Sequence, residues 1–351
     1  MNRRTFVSTS IVTATALAAD TSQARIRIGQ IGTKHAHASG KLAAIRKYPE
    51  VFELVGVVEP DESQRRSVQS RREFQGVNWM TEEELFNATG LQAVAVETEV
   101  IELVPTALRC IKAGFHIHLD KPAGESMSQC RELHSEAAKR KLTIQMGYML
   151  RYNPAFQFMF DVIDKGWLGQ ITEVTGMMGK KMGDGGRKEL AQYEGGGMFE
   201  LACHIIDAMI TVTGEPKQIT SISHRSYPDK DSFADNQLAV FDFPMAIGSI
   251  RCNHIDPMGF ARRQFSVTGT EGTLAIQPLE PPKVQLGLSR SCGEFKKGFQ
   301  AVRIPRSSGR YDGEFLDLAK VIRGEKQLAW SHEHDLIVHE AVLRASGMKV
   351  D

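Results

Sequence analysis

Apolar positions change their spacing once along this chain, near Tyr148. Before that point short β-rich runs at 27–31, 54–58, 93–96, 116–119 and 143–146 take turns with helical periodicity. The helices run through Leu42 and Ile45, around Arg65, over 105–113 up to Gly114, and over 128–139. Strand and helix in strict alternation predict a parallel sheet with helices on both faces. Beyond Tyr148 the order becomes a helix over 153–165, a strand at 171–176, a Gly-rich stretch at 183–197 and a helix over 198–213. Partly alternating runs follow at 218–224, 237–243, 246–253, 263–268 and 273–277. Strands grouped in this way predict an α+β unit with an open, mostly antiparallel sheet. Gly-Thr-Glu-Gly at 269–272 reads as a hairpin turn between the last two runs.

Composition narrows the class. The 351 residues suit two domains, and 42% hydrophobic with 24% charged residues is an ordinary globular balance. Lys plus Arg is 43 against 42 for Asp plus Glu, a net +1 that gives no drive toward nucleic acid. Cys110, Cys130, Cys203, Cys252 and Cys292 are scattered without a CxxC spacing, so neither a disulfide framework nor a structural metal follows.

The amino terminus stands apart. Arg3 and Arg4 precede an uncharged, mildly apolar stretch from Val7 to Ala19 and an Ala16-Leu17-Ala18 cleavage spacing. Asn2-Arg3-Arg4-Thr5-Phe6-Val7 is similar to the twin-arginine signal, so 1–24 is expected to be a removable export signal. The stretch is too short to span the ~30 Å hydrocarbon core, and no stable membrane span is expected. A periplasmic or otherwise exported protein follows, with the twin-arginine machinery as partner and its cofactor acquired before export. A cytoplasmic protein follows if these residues are a plain tail. The remaining chain divides into 25–147 and 148–351.

The first predicted strand runs into Gly29-Gln30-Ile31-Gly32-Thr33-Lys34-His35-Ala36-His37, where a dinucleotide fold needs a tight turn before a helix N-terminus. The G-x-G-x-x-G code is incomplete, since Lys34 and His37 hold the second and third glycine places. Gly29, Gly32, Thr33, Lys34 and His35 are the expected cofactor loop; Lys34 is either a cation for the phosphates or a solvated turn lysine. Glu59, ending the second strand, can accept hydrogen bonds from ribose hydroxyls and would repel a 2′-phosphate, favouring NAD over NADP.

Three later segments carry a resemblance. Asp120-Lys121-Pro122 follows a strand; Gly147-Tyr148-Met149-Leu150-Arg151-Tyr152-Asn153-Pro154 joins the two halves; and Gly195-Gly196-Gly197 leads through Glu200 and His204 to Asp207. Together they resemble the E-K-P, linker and G-G-G-x-x-x-D-x-x-x-H-x-x-D motifs of the Gfo/Idh/MocA oxidoreductases, over nearly the whole mature chain. Asp235-Asn236, 269–272 and 331–335 are smaller echoes. The resemblance implies a Rossmann dinucleotide-binding domain followed by the α+β domain, with NAD tightly bound and a dimer or tetramer. It places Lys121 and Arg151 by the nicotinamide and Tyr152 and Asp207 near the substrate. Asp120 and Glu200 exchange Glu and Asp relative to the family pattern. Leu103 stands where many relatives have His, and Thr98-Glu99-Val100 replaces T-P-N.

Oxidising a secondary alcohol takes a hydride acceptor and a proton acceptor. Glu200 and His204, four apart on a predicted helix, would share a face, so Glu200 can orient an imidazole base. A lysine beside a cationic nicotinamide would have a lowered pKa, making Lys121 a base as well; the residues leave the choice open. The H-x-H pairs His35/His37, His116/His118 and His332/His334 are not expected to hold a catalytic metal. The expected function is NAD-dependent oxidation of a sugar, glycoside or cyclitol. A redox-cycling glycosidase or lyase is the second reading, and a sugar or NAD sensor without turnover the third, which the presence of Lys121 and His204 disfavours.

Overall fold

The computed structural model describes residues 24–351, and the export signal read at 1–24 lies, apart from Ala24, outside the described residues. The first sheet holds β1 (Ile26–Ile31), β2 (Phe52–Val58), β3 (Trp79–Met80), β4 (Ala93–Val96), β5 (His116–Leu119) and β6 (Ile144–Met146). They lie in the order β3-β2-β1-β4-β5-β6, each pair parallel. All four residues of β4 are buried. Helices cover both faces of such a sheet, so its strands read as unbroken apolar runs. The strand order reverses between β1 and β4, and a crevice opens beyond the carboxyl ends of the strands at such a switch.

The second sheet holds β7 (Ile171–Gly179), β8 (Gln218–His224), β9 (Asn236–Asp242), β10 (Ile247–Asn253), β11 (Gln264–Gly269), β12 (Gly272–Leu279), β13 (Pro282–Leu288) and β14 (Gly298–Val302). Its order is β14-β13-β12-β11-β7-β10-β9-β8, antiparallel except where β7 meets β10. Along β9, Gln237, Ala239 and Phe241 point inward and Val240 outward, the period-two signature of a sheet covered on one face. The covering helix, Cys203–Thr213, approaches so closely that a Cβ on Gly176 of β7 would stand 2.9 Å from Ile205 Cδ1. One apolar cluster runs through both sheets, from Val94 and Ile117 to Phe156, Ile205, Ile250 and Phe265.

Two departures from the sequence reading concern helices. The helix expected over 198–213 is broken: Gly196–Glu200 ends, and Cys203–Thr213 begins after Leu201 and Ala202. At the break the carbonyl of Glu200 accepts a hydrogen bond from Lys121 Nζ at 2.6 Å. The second departure is the helix Asp312–Ile322, which packs back onto the first sheet, where Phe315 and Ala319 join Ile26, Ile28, Phe52 and Ala95. A division at 147/148 does not anticipate that return.

Candidate active site

The crevice at the switch point begins with Gly32, the residue after β1. Its φ is +93°, and a Cβ there would lie 2.6 Å from the carbonyl of Glu97 and the nitrogen of Thr98. Only glycine allows both that turn and that approach of the loops following β1 and β4. Beside it lies a cavity of about 650 Å³ lined by Gly32, Lys34, Glu59, Asp61, Thr81 and Thr98 among others. Glu59 is buried at the end of β2, and its Oε2 accepts hydrogen bonds from the Thr33 N–H at 3.0 Å and hydroxyl at 2.7 Å. Its Oε1 accepts from the Asp61 N–H at 3.1 Å. Glu59 therefore braces the loop as well as lining the cavity. Lys34 Nζ spans the mouth, 3.2 Å from Asp61 Oδ2 and 3.5 Å from Glu99 Oε1. The Asp61 hydrogen bond raises its pKa, so it is a cation at neutral pH. Gly29 is no part of this loop: it lies within β1, and a Cβ there would strike Leu85 at 2.6 Å. The turn, the brace and the open volume meet what the adenosine half of a dinucleotide requires.

A hollow of about 300 Å³ continues inward, sharing Lys34 and Glu99 with the crevice and reaching His35, Tyr193 and Glu200. Behind Glu200 stands Lys121, on the turn after β5, with 1% of its side chain exposed. Its Nζ donates to Glu200 Oε1 at 3.0 Å and to the Glu200 carbonyl at 2.6 Å. Burial by itself would lower the pKa of this ammonium, but the Glu200 carboxylate, aided by Cys203 and Asp120, raises it above the ordinary lysine range. Glu200 answers in kind: burial opposes its charge, but Lys121 holds it at about 2. Lys121 is thus held as a cation by Glu200, against the lowering that a neighbouring nicotinamide would exert. The broken helix also corrects the expected Glu200–His204 partnership, because the carboxylate serves Lys121.

His204 takes the other role. Its ring is buried, with Nδ1 lacking a hydrogen-bond partner among the described residues, and its centroid is 6.2 Å from those of both His37 and Tyr148. Burial, then the charge of Lys121, hold its pKa well below the ordinary imidazole value, so it is a neutral acceptor at pH 7. Around it lie His37 and Tyr148, and beyond His37 the Tyr311 ring, tilted against it at 5.5 Å, a residue that the sequence reading did not single out. In the sequence His37 was visible as the residue in the third glycine place and as half of an H-x-H pair. Its partner Asp120 lies 83 residues on, and its Oδ2 stands 3.1 Å from His37 Nδ1.

Arg151, Tyr152 and Asp207 are engaged elsewhere. The Arg151 guanidinium is 1% exposed; Nε and Nη2 donate to Asp207 at 3.1 and 2.6 Å, and Nη2 donates to Asp335 at 2.6 Å. It lies 5.0 and 4.8 Å over the Tyr148 and Trp330 rings. The Tyr152 hydroxyl donates to Asp317 at 3.0 Å and accepts from Gln145 at 2.9 Å. These residues clasp the segment after β6 to the helices Cys203–Thr213, Asp312–Ile322 and His332–Ala345. None of them lines the crevice or the hollow.

The architecture and motifs have known counterparts. Residues 26–148 match the family model described as oxidoreductase family, NAD-binding Rossmann fold, and residues 156–275 the GFO/IDH/MocA C-terminal domain. A bovine (Bos taurus) relative, trans-1,2-dihydrobenzene-1,2-diol dehydrogenase, is 25% identical over 202 residues, 57% of this chain and 58% of that protein. This match therefore spans less than two thirds of the relative's length. Among solved structures, levoglucosan dehydrogenase in complex with NADH and levoglucosan superposes with a TM-score of 0.79 at 16% identity, over 92% of this chain and 98% of the other. Aldose-aldose oxidoreductase from Caulobacter crescentus, complexed with glycerol, gives 0.77 at 17% identity over the same shares. With both domain models matched over more than half the chain, on a parallel sheet followed by a mostly antiparallel one, this chain belongs to the Gfo/Idh/MocA family of NAD-binding oxidoreductases.

Proposed function

We propose that this protein oxidises a secondary hydroxyl of a sugar, glycoside or cyclitol with NAD. The observation that carries the reading is the buried Lys121 ammonium, anchored by Glu200 beside the unpartnered, neutral His204. Bound NAD would supply the hydride acceptor, held by Gly32, Thr33, Lys34 and Glu59. The substrate hydroxyl donates its proton to His204 while Lys121 hydrogen-bonds the developing alkoxide, a charge stabilisation worth most in a dry site. NAD is preferred to NADP because Glu59, Asp61 and Glu99 put negative charge where a 2′-phosphate would come. Export by the twin-arginine route and a homo-oligomer remain part of the proposal. The outer face of the second sheet, with Val240 and Ile247 exposed, supports the oligomer.

The fixed ammonium also supports a second reading. Held on a C3 ketone oxygen, Lys121 would acidify the C2 proton. Its loss to a base would expel the C1 substituent, and return of hydride and addition of water would complete a net hydrolysis. Incubating the protein and NAD with a panel of glycosides separates the two: accumulated ketosugar with NADH supports the dehydrogenase, and released aglycone without net NADH supports the cycle. A protein that binds neither NAD nor NADP, and yields no nicotinamide on denaturing extraction, excludes both.

A further inference from the structure

His35 and His37 turn their Nδ1 atoms toward one carboxylate oxygen, Asp120 Oδ2, at 3.0 and 3.1 Å. The three donors lie within 4.8 Å of one another. The hydrogen bonds around His35 fix its tautomer. Nε2 faces the Lys121 carbonyl at 3.1 Å, an oxygen that can only accept, so Nε2 carries the proton. Nδ1 accepts from the His37 N–H at 3.3 Å, so it presents a lone pair. A lone pair 3.0 Å from a buried carboxylate oxygen is repulsive unless something positive lies between them. Beside it Glu97 is fully buried, 4.0 Å from His35 Nδ1 and 3.7 Å from His118 Nδ1, and neither of its carboxylate oxygens has a hydrogen-bond partner among the described residues.

Charge leads to the same place. Glu97, Asp120 and Glu314 are wholly inaccessible, and the neighbouring cation inside the same shell is Lys41, which bonds Glu314; Lys121 is matched by Glu200. Three carboxylates against one ammonium leave two negative charges. These are neutralised either by two protons shared among the carboxylates and the imidazoles against them, His37 and His118 included, or by one dication.

We propose that His35, His37 and Asp120 bind a divalent first-row cation of the zinc type, with Glu97 as the adjacent carboxylate. Two imidazole nitrogens and a carboxylate oxygen are the donors zinc and its neighbours select. Ligand bonds of about 2.0–2.2 Å set tetrahedral donors about 3.3 Å apart, close to the two spacings to Asp120, while the two imidazole nitrogens, which the cluster leaves up to 4.8 Å apart, would draw together on binding. The ion would tie the loop after β1 to the residue preceding Lys121, and so position the lysine rather than take part in proton transfer.

The full-length, tag-free protein, stripped with a chelator and titrated with Co²⁺, tests this without any assay of activity. The expected result is uptake of about one Co²⁺ per chain, with the visible bands of a low-coordinate nitrogen and oxygen site, displaced by Zn²⁺. Affinity should fall at least tenfold in His37→Gln and in His35→Gln. Folded, stripped protein that takes up neither ion overturns the proposal in favour of the two protons, and uptake unchanged in both variants overturns it by placing the ion elsewhere. If the variants do not fold, paramagnetically shifted imidazole N–H resonances of the Co²⁺ wild type decide: two bound imidazoles support the site, and none or one overturns it.

Discussion

Lys121 Nζ is held 3.0 Å from Glu200 Oε1 in a place where burial alone would strip its charge. The carboxylate therefore sets the protonation state of the lysine. In Glu200→Gln the Coulombic support is gone and desolvation acts alone, so the pKa of Lys121 falls. Turnover should drop about tenfold at neutral pH, and the alkaline limb of the kcat profile should move down by at least about one pH unit as the ammonium is lost within the measured range. A profile superimposable on wild type would sink the assignment.

His204 is the group that should titrate with the reaction. His204→Gln and Lys121→Ala are each expected to lower kcat by roughly 10²-fold or more, with the affinity for NAD changed much less, because neither residue lines the nucleotide crevice. Stopped-flow hydride transfer and equilibrium binding of NAD separate the two effects. Wild-type hydride transfer in both variants would remove them from the proton path.

The parallel sheet was legible because its strands are continuous apolar runs separated by helices, as Ala93–Val96 shows. Gly32 was legible because a positive φ at a strand end has few other solutions. The 269–272 hairpin also fell where expected, joining β11 to β12 through Thr270 and Glu271. What stayed hidden depends on contacts distant in sequence. Glu200 meets Lys121 across 79 residues, and Lys41 meets Glu314 across 273. Spacing within one helix suggested Glu200 with His204, but that helix is broken between them, where the Glu200 carbonyl accepts from a distant lysine. The two β-strands after 277 were missed for another reason: Gly287 interrupts the alternation of Pro282–Leu288, and Gly298–Val302 fully buries none of its residues.

Arg151 and Asp207 are expected to matter for folding more than for chemistry. Asp207→Asn removes one of two charges that satisfy a guanidinium 1% exposed, and breaking such a buried pair costs about 3–5 kcal/mol. Denaturant unfolding at pH 7 should show that loss, while kcat of the folded fraction stays within a few-fold of wild type. Should stability hold while kcat falls 10²-fold, Asp207 belongs to the site after all.

Buried histidines should make the fold acid-labile at mild pH. Burial holds His254 and His339 at about 4, and His134, also pressed by His332, at about 3. Their folded values lie below the unfolded value of about 6.5. As pH falls through 6.5 the unfolded chain takes up protons that the folded chain refuses, so stability is full above that value and is lost progressively toward pH 4. The limiting slope is about 1.4 kcal/mol per pH unit for each group, and relaxation of the site reduces it. The free energy of unfolding from urea titrations should be flat above pH 7 and decline between 6.5 and 5. His339→Gln, which cannot titrate, should flatten that decline by up to one group's share. A wild-type curve level down to pH 5 would show that these imidazoles gain compensating partners when protonated.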